Sequence, residues 1–134
     1  MKFPDWMPVY GNRNFRGDCP KEDAELATFF NQLRKTYPEV ARRAWHTENE
    51  GKKHFAQAAS SKLKGELSGV SDIVIAGTPT FICEMKRRDH TKSSWQAGQI
   101  PFLSSCHEAG CFVCVALSWE GAMEAVFDYL EECK

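Results

Sequence analysis

Residues 68–86, SGVSDIVIAGTPTFICEMK, decide the fold of this chain because they contain two apolar runs separated by a Gly-Thr-Pro turn. This pattern predicts two adjacent strands. Side chains alternate between the two faces of a strand, so Glu84 and Lys86 point the same way. An antiparallel pairing of the two strands would bring Asp72, at the start of the first, near Glu84. The hairpin is therefore predicted to gather two carboxylates and a lysine.

Charged side chains inside an apolar strand cost free energy unless they are paired or bind an ion. Asp72 and Glu84 are predicted to bind Mg²⁺ or Mn²⁺, with the backbone carbonyl of Met85 as a third oxygen ligand. Lys86 would then hold an attacking water or stabilise charge on a scissile phosphate. Such a site is suited to the cleavage of phosphodiester bonds.

A further carboxylate is expected from the first helix, where Glu22 and Glu25 lie three residues apart on one face. Either of them would complete the metal shell, but both cannot do so with equal ease. The competing interpretation of the hairpin has no metal. In it, Glu84 and Lys86 form an ion pair on an edge strand, and Asp72 caps a turn.

The bulk composition favours one globular domain, with residues 1–19 as an N-terminal arm and residues 20–134 as the domain. The formal net charge of −1 excludes a global basic field, so nucleic-acid binding would depend on local clusters. Every apolar run is shorter than the roughly 20 residues of a membrane span, and no membrane association is expected. The first residues lack a secretory pattern, so the six cysteines are expected to be reduced in the cytoplasm.

Hydrophobic periodicity predicts an α/β fold with a mixed central β-sheet flanked by helices. A helix cap is expected at Ser93 or Ser94, a kink at Gly98 and Pro101, a helix end at Gly110 and another cap at Ser118. The expected order is a helix from about residue 20 to 37, a strand at 40–45, a helix at 54–63, the two strands of 68–86, a helix at 94–108, a strand at 111–117 and a final helix.

Several motifs resemble the VRR-NUC family of the PD-(D/E)XK nuclease superfamily, and most of all its small stand-alone phage members. The resemblance covers residues 22–130. The matching segments are the opening helix with Glu22, residues 37–39 and 46–52 against the family's strand and PNxGK loop, residues 69–72 against its GxPD turn, residues 81–86 against its FIExK strand, and Gln96 as the glutamine of the following helix. Ser71 replaces the proline of the turn motif.

This resemblance implies a restriction-endonuclease-like core and a metal-dependent DNA endonuclease that acts on duplex or branched DNA. It implies that Asp72 and Glu84 are metal ligands, that Lys86 is catalytic, and that Glu22 and Gln96 support the site. It further implies a homodimer, with no small-molecule cofactor. A phage-encoded chain would act in the host cytoplasm.

DNA contacts are expected from polar residues that border the proposed site, since they would bind phosphates without regard to base sequence. The candidates are Asn49, Lys52, Lys53, Arg87 and Arg88. A solvated charged loop is the competing interpretation. His46 and His54 flank the same loop and are further candidates for phosphate contact. Trp95 is interpreted either as core or as a surface for an unstacked base.

Two other function classes remain open. One is a non-catalytic nucleic-acid-binding module on the same scaffold. The other is a small zinc-binding interaction protein that uses Cys106, His107, Cys111 and Cys114. Cys111 and Cys114 lie three apart in a predicted strand, where they would face opposite sides of the sheet, and this spacing argues against zinc.

Overall fold

The computed structural model describes residues 1–47, 59–60 and 62–134. Its strands are β1 (Val9–Tyr10), β2 (Ala44–His46), β3 (Ile73–Ile75), β4 (Phe81–Met85) and β5 (Phe112–Ala116). Its helices are α1 (Glu22–Thr36), α2 (Pro38–Ala41), α3 (Gln99–Glu108) and α4 (Trp119–Glu132), with a 3₁₀ turn at His90–Lys92. The predicted helix at 54–63 lies largely outside the described residues, although residues 59, 60, 62 and 63 are helical.

The five strands form one mixed sheet in the order β1-β5-β4-β3-β2. The predicted hairpin is present as the antiparallel pair β3–β4, and β2 adds to β3 in the antiparallel sense. β5 lies parallel to β4 because α3 carries the chain back across the sheet between them. The prediction of an α/β fold with a mixed central sheet is confirmed.

Helices cover both faces of this sheet. On one face, α1 and α4 bury a core that includes Phe29, Cys83, Met85 and Tyr129. On the other face, α3 and the first residues of the chain cover a smaller core of Met7, Val74, Ile82, Leu103, Val113, Val115 and Leu117. Because β4 alternates, Glu84 lies on the α3 face of the sheet.

The N-terminal arm contains a strand that the sequence did not reveal. β1 pairs in parallel with the end of β5, Val9 with Val115 and Tyr10 with Ala116. Met7, next to it, is buried in the smaller core. The interpretation of residues 1–19 as an aperiodic loop is therefore wrong at residues 9 and 10, where a two-residue strand is too short to show any period.

Two other predicted boundaries move. Residues 38–41 are helical, with Pro38 in the first turn of α2, so the strand predicted at 40–45 begins only at Ala44. The helix predicted from Ser94 begins at Gln99, with Gly98 as its N-cap residue. Pro101 then lies in the first turn, where its missing N–H breaks no hydrogen bond, and no kink is needed.

Other end signals are confirmed. Gly110 has a φ of +93° directly after α3, as a left-handed residue at a helix end requires. The Ser118 hydroxyl accepts a hydrogen bond from the Gly121 amide at 3.3 Å and caps α4. Among the described helices, none has both the length and the apolar character that crossing a bilayer demands.

Candidate active site

The β3–β4 register brings the two predicted carboxylates together. Ile73 pairs with Cys83, so Asp72 and Glu84 stand opposite each other one residue further along. Asp72 Oδ2 accepts a hydrogen bond from the Met85 amide at 2.9 Å, and Asp72 is close enough to Glu84 for its charge to raise the pKa of the Glu84 carboxyl. Two acidic groups in contact at the centre of a sheet need a proton or a cation between them.

Lys86 completes the cluster from the end of β4. Its side chain is fully buried, and its ammonium lies 3.8 Å from Glu84 Oε1. Nζ donates to the Ser94 carbonyl at 2.8 Å and to Gln99 Oε1 at 3.0 Å. The Glu84–Lys86 ion pair of the competing interpretation therefore exists, but it is buried on a strand with neighbours on both sides, not on an edge.

Gln99 joins the acidic and basic halves of the cluster. Its Nε2 donates to Glu84 Oε1 at 2.9 Å, while its Oε1 accepts from Lys86 and from the Gln96 amide at 2.8 Å. Each end of the amide is thus used in the sense its chemistry requires. Gln99 occupies the first position of α3, next to the sheet.

The prediction that Gln96 lies on the helix is wrong, whereas its supporting role at the site stays a prediction. Gln96 precedes α3 by three residues, is exposed, and donates its side-chain N–H to the Ser94 hydroxyl at 3.2 Å. It lines the rim of the pocket, whereas Gln99 contacts Glu84 and Lys86. Gly98 could have identified Gln99, because a glycine at this point can mark a helix start as well as the internal kink expected from the sequence.

Glu84 is the member of the cluster whose negative charge is least well compensated. Burial raises the pKa of its carboxyl group well above the ordinary value, and the neighbouring Asp72 carboxylate raises this pKa further, against the attraction of Lys86. Its second oxygen, Oε2, is buried without a hydrogen-bond partner. An orphaned carboxylate oxygen beside a second carboxylate fits a hard divalent cation, which would supply the missing partner.

The choice between Glu22 and Glu25 has a geometric answer. Glu22 lines the same pocket as Asp72 and Glu84, and accepts a hydrogen bond from the Ser93 hydroxyl at 3.1 Å. Burial raises the pKa of the Glu22 carboxyl, although Lys86 acts to lower it. Glu25 faces elsewhere, because it accepts a hydrogen bond from the Trp119 amide at 2.7 Å, at the start of α4. Of the two, Glu22 is at the site.

These side chains line a pocket of about 570 Å³. Its wall comprises Glu22, Ser68, Gly69, Asp72, Glu84, Lys86, Lys92, Ser93, Ser94, Gln96, Ala97 and Gln99. Within the described part of the chain, no three His, Cys, Asp or Glu side chains are grouped closely enough to hold a metal by themselves. An ion here would therefore need backbone or water oxygens as well as the carboxylates, which is the usual coordination of Mg²⁺.

The same result contradicts the zinc cluster. The Cys111 amide donates to the Cys106 carbonyl at 3.0 Å, and burial together with the neighbouring Cys111 thiol raises the pKa of the Cys106 thiol. The ring of His107 instead stacks on Trp6, with 4.6 Å between centroids. Cys114 is buried on β5 beside Cys83 of β4. All six cysteines are free thiols.

Arg87 and Arg88, two of the predicted DNA contacts, make contacts within the protein. Arg87 donates to the backbone carbonyls of Cys19 at 2.6 Å and Pro20 at 3.1 Å. Arg88 forms an ion pair with Glu120, and its guanidinium lies 5.8 Å from the ring centroid of Phe15. Arg87 therefore holds the arm, and Arg88 links the arm to α4. A phosphate contact by either residue stays a prediction.

Other predicted contacts divide between two outcomes. Asn49, Lys52, Lys53 and His54 lie outside the described residues. His46 is described, and its Nδ1 is hydrogen-bonded to the Asp72 backbone carbonyl at 2.7 Å, which ties β2 to the start of β3. Lys92 is a basic residue at the site that was not among the predicted DNA contacts. It lines the pocket rim and lies 3.8 Å from Asp18.

Comparison with known proteins adds one finding about the fold. Neither a family model nor a curated protein matches the sequence. A solved structure described as a VRR_NUC domain protein matches 87% of this chain and 92% of its own, with a TM-score of 0.69 and 17% sequence identity. This chain has a VRR-NUC fold. The resemblance stated from the motifs is confirmed for the fold, and with it the restriction-endonuclease-like core; membership of the phage group stays a prediction.

Proposed function

We propose that this VRR-NUC-fold chain is a Mg²⁺- or Mn²⁺-dependent DNA endonuclease that hydrolyses phosphodiester bonds. The observation that carries the proposal is the buried, unpartnered Oε2 of Glu84, a carboxylate that lies beside Asp72 and has its other oxygen, Oε1, 3.8 Å from the Lys86 ammonium. A domain that evolved only to be stable would replace such a cluster with apolar residues. The solved neighbour's description as a VRR_NUC domain protein is consistent with nuclease chemistry.

The carboxylates of Asp72 and Glu84 and the Met85 carbonyl would hold the metal directly, and the Glu22 carboxylate would act through a coordinated water. The N–H and C=O of one strand residue point to the same side, and the Met85 N–H points to Asp72, so its carbonyl faces the same edge. When bound, the ion supplies Lewis acidity and lowers the pKa of a coordinated water.

Lys86 would act on the phosphate or on the attacking water. An ammonium has three N–H donors, and two of them are used by Ser94 and Gln99. The third remains for an oxygen in the pocket. Gln99 fixes the distance between Lys86 and Glu84, so charge developing on the phosphate would meet a donor that is already in place.

A cleavage assay tests the proposal. Purified protein should nick or cut supercoiled DNA with Mn²⁺ or Mg²⁺ and stop when EDTA is added. Lys86→Ala should lose at least 100-fold in rate, in line with the loss of one charge-stabilising donor. Lys92→Ala, on the rim of the same pocket, is the matched control and should mainly weaken DNA binding. Equal rates for wild type and Lys86→Ala would remove the catalytic assignment.

A metal titration separates the enzyme from a non-catalytic module on the same scaffold. The enzyme should take up Mn²⁺ saturably, and Asp72→Asn with Glu84→Gln should abolish that uptake while the circular dichroism spectrum stays unchanged. A binding module would retain DNA affinity with no such uptake. The preferred substrate follows from a panel of duplex, single-stranded, flap and four-way-junction DNA, and light scattering tests the proposed homodimer.

A further inference from the structure

Trp95 connects the N-terminal arm to the lysine of the candidate site. We propose that Trp95 is a positioning residue for Lys86, and that Lys2 and Phe3 hold Trp95 in place. The inference depends on the proposed function for its consequence in catalysis. The contacts themselves do not depend on that function.

The first step is the contact between the ring and the ammonium. Lys86 Nζ lies 5.3 Å from the Trp95 ring centroid, within the range of a cation–π interaction. Because the Lys86 side chain is buried, the indole face takes the place of water on one side of the charge. A desolvated contact of this kind is stronger than one at the surface.

The ring is one of three contacts of the ammonium. Ser94 supplies its carbonyl and Gln99 its amide oxygen, and the indole ring is the third contact. Ser94 and Trp95 are adjacent in the chain, so a displaced ring would move the Ser94 carbonyl too. Glu84 Oε1 lies 3.8 Å from Nζ and both residues line the pocket, so the third N–H of Lys86 is left for Glu84 or for a substrate oxygen.

The second step is the hold of the arm on the ring. The Trp95 indole N–H donates to the Lys2 carbonyl at 2.7 Å. Phe3 meets the indole edge-on, with 6.1 Å between centroids and an interplanar angle of 80°. Phe3 is in turn fixed by the His90 ring at 5.3 Å and by the Arg13 guanidinium at 5.4 Å. Two contacts therefore set the ring's orientation, and both come from the arm.

The arm also provides a matched control. Trp6 lies on the same segment but stacks on His107, which is in the last turn of α3, at the end of the helix away from Gln99. Removing the Trp6 ring should loosen the arm without touching Lys86. Trp95→Leu removes the ring face, whereas Trp95→Phe keeps an aromatic face and loses only the indole N–H.

The experiment uses the whole chain and two measurements. The first is the rate at which an amine-acylating reagent modifies Lys86, followed by mass spectrometry, which needs no nuclease activity. The second is kcat and KM for DNA cleavage. Trp95→Leu should raise the labelling rate of Lys86 and lower kcat, each about tenfold, with little change in KM, because a contact worth roughly a factor of ten has been lost from a positioned group.

The variants should differ in a set order. Trp95→Phe should retain most of the kcat, Phe3→Leu should show a weaker form of the Trp95→Leu effect, and Trp6→Leu should keep wild-type labelling and kcat even if its melting temperature falls. Wild-type labelling of Lys86 in Trp95→Leu would overturn the inference, as would an equal effect in Trp6→Leu. If the wild type cleaves nothing while the labelling differs as expected, the proposed function fails and the positioning contact stands.

Discussion

At the scale of single residues, two buried serines have opposite effects on stability. Ser118 uses its hydroxyl to cap α4. Ser71 is fully buried, and its hydroxyl has no hydrogen-bond partner. A buried polar group without a partner costs about 1–3 kcal/mol, whereas a lost N-cap costs about 1 kcal/mol.

Ser71→Ala should therefore leave the protein as stable as wild type or raise its free energy of unfolding by about 1 kcal/mol. Ser118→Ala should lower it by about the same amount. Urea unfolding of the two variants beside wild type measures both values. A loss of stability in Ser71→Ala comparable to that in Ser118→Ala would show that the Ser71 hydroxyl has a partner after all.

Gly69 holds the two loops of the site against each other. Its φ is +83°, and a Cβ built on it would lie 2.2 Å from the Gly98 carbonyl carbon and 2.7 Å from the Gln99 nitrogen. These are backbone atoms and cannot rotate away. The close approach sets the distance between the Asp72 turn and the start of α3, and so the place of the Gln99 amide.

Gly69→Ala should lower stability by more than the conformational cost alone, and it should reduce cleavage through the displacement of Gln99. Gly110→Ala is the matched control, since it has a similar φ of +93° with nothing within 4 Å of an added Cβ. That variant should lose only about 1–2 kcal/mol and keep its activity. Similar losses in the two variants would mean that the loops can separate without harm.

The cluster itself was predictable, but one of its members was not. Asp72, Glu84 and Lys86 follow from the two-residue period of strands and the opposition of strands in a hairpin, which are local properties. Gln99 depends on where α3 begins. That point is fixed by the backbone contact between Gly69 and Gly98, a contact between segments almost thirty residues apart. Sequence periodicity contains no signal for such an approach.

At the scale of elements, the segment that follows Lys86 fastens the arm. Asp89 accepts hydrogen bonds from the Gly17 amide at 3.0 Å and from both the amide and the hydroxyl of Thr91. His90 bonds to the Arg13 carbonyl at 3.1 Å. Arg87 also contacts Cys19 and Pro20, and Arg88 contacts the Phe15 ring. Together these contacts make the arm part of the domain.

This fastening predicts a pH dependence. The hydrogen bonds from Thr91 and Gly17 lower the pKa of Asp89 to about 2, below its ordinary value. A group with a lowered pKa stabilises the fold above its unfolded pKa of about 3.9, and that contribution is lost as the pH falls toward the folded value. Asp89→Asn should thus be less stable than wild type at pH 6, with a difference that shrinks between about pH 4 and pH 2.

Urea unfolding across that pH range measures the difference. Asp18→Asn is the control, because Asp18 is fully exposed and its ion pair with Lys92, at 3.8 Å, is a weak surface contact. It should change stability little at any pH. A constant deficit of Asp89→Asn from pH 6 to pH 2 would contradict the role given to the ionised carboxylate.

The arm also shows where element prediction stops. β1 has two residues between Pro8 and Gly11, too few for a period, and it exists because the end of β5 offers free backbone groups beside it. The contacts of Arg87 and Arg88 could not be predicted either. In the sequence the two residues form a basic cluster beside the site, and only the folded arm brings the Cys19 carbonyl to Arg87 and the Phe15 ring to Arg88.

At the scale of the whole molecule, the fold is retained at 17% identity to the solved VRR_NUC domain protein. The fold can be recognised from a few motifs because the hairpin that carries them lies in the middle of the sheet. β3 and β4 occupy the middle of the sheet together with β5, and the charged residues of the hairpin would be unfavourable there without one another. What the motifs could not supply was the cover of the sheet by the arm, which depends on contacts far apart in sequence.

The buried acidic cluster predicts how metal changes the stability of the whole domain. Glu84 is buried with one oxygen unpaired, so the metal-free protein carries an electrostatic cost at neutral pH. Glu84→Gln should remove the repulsion between Asp72 and Glu84, while Glu22 remains as an acidic partner of Lys86, so the variant should melt at a higher temperature than metal-free wild type although it should not cleave DNA. This separates stability from function in one substitution.

Mn²⁺ at a hundredfold excess over its Kd should stabilise the wild type by about 2.7 kcal/mol, or roughly 10 °C in melting temperature. Since burial raises the pKa of Glu84, protons compete with the ion for its carboxylate as the pH falls, and the stabilisation should be smaller at pH 5 than at pH 8. Differential scanning fluorimetry at the two pH values, with Glu84→Gln beside wild type, measures it. Because the variant lacks the carboxylate, Mn²⁺ should leave its melting temperature almost unchanged; an equal rise in both proteins would place the ion elsewhere.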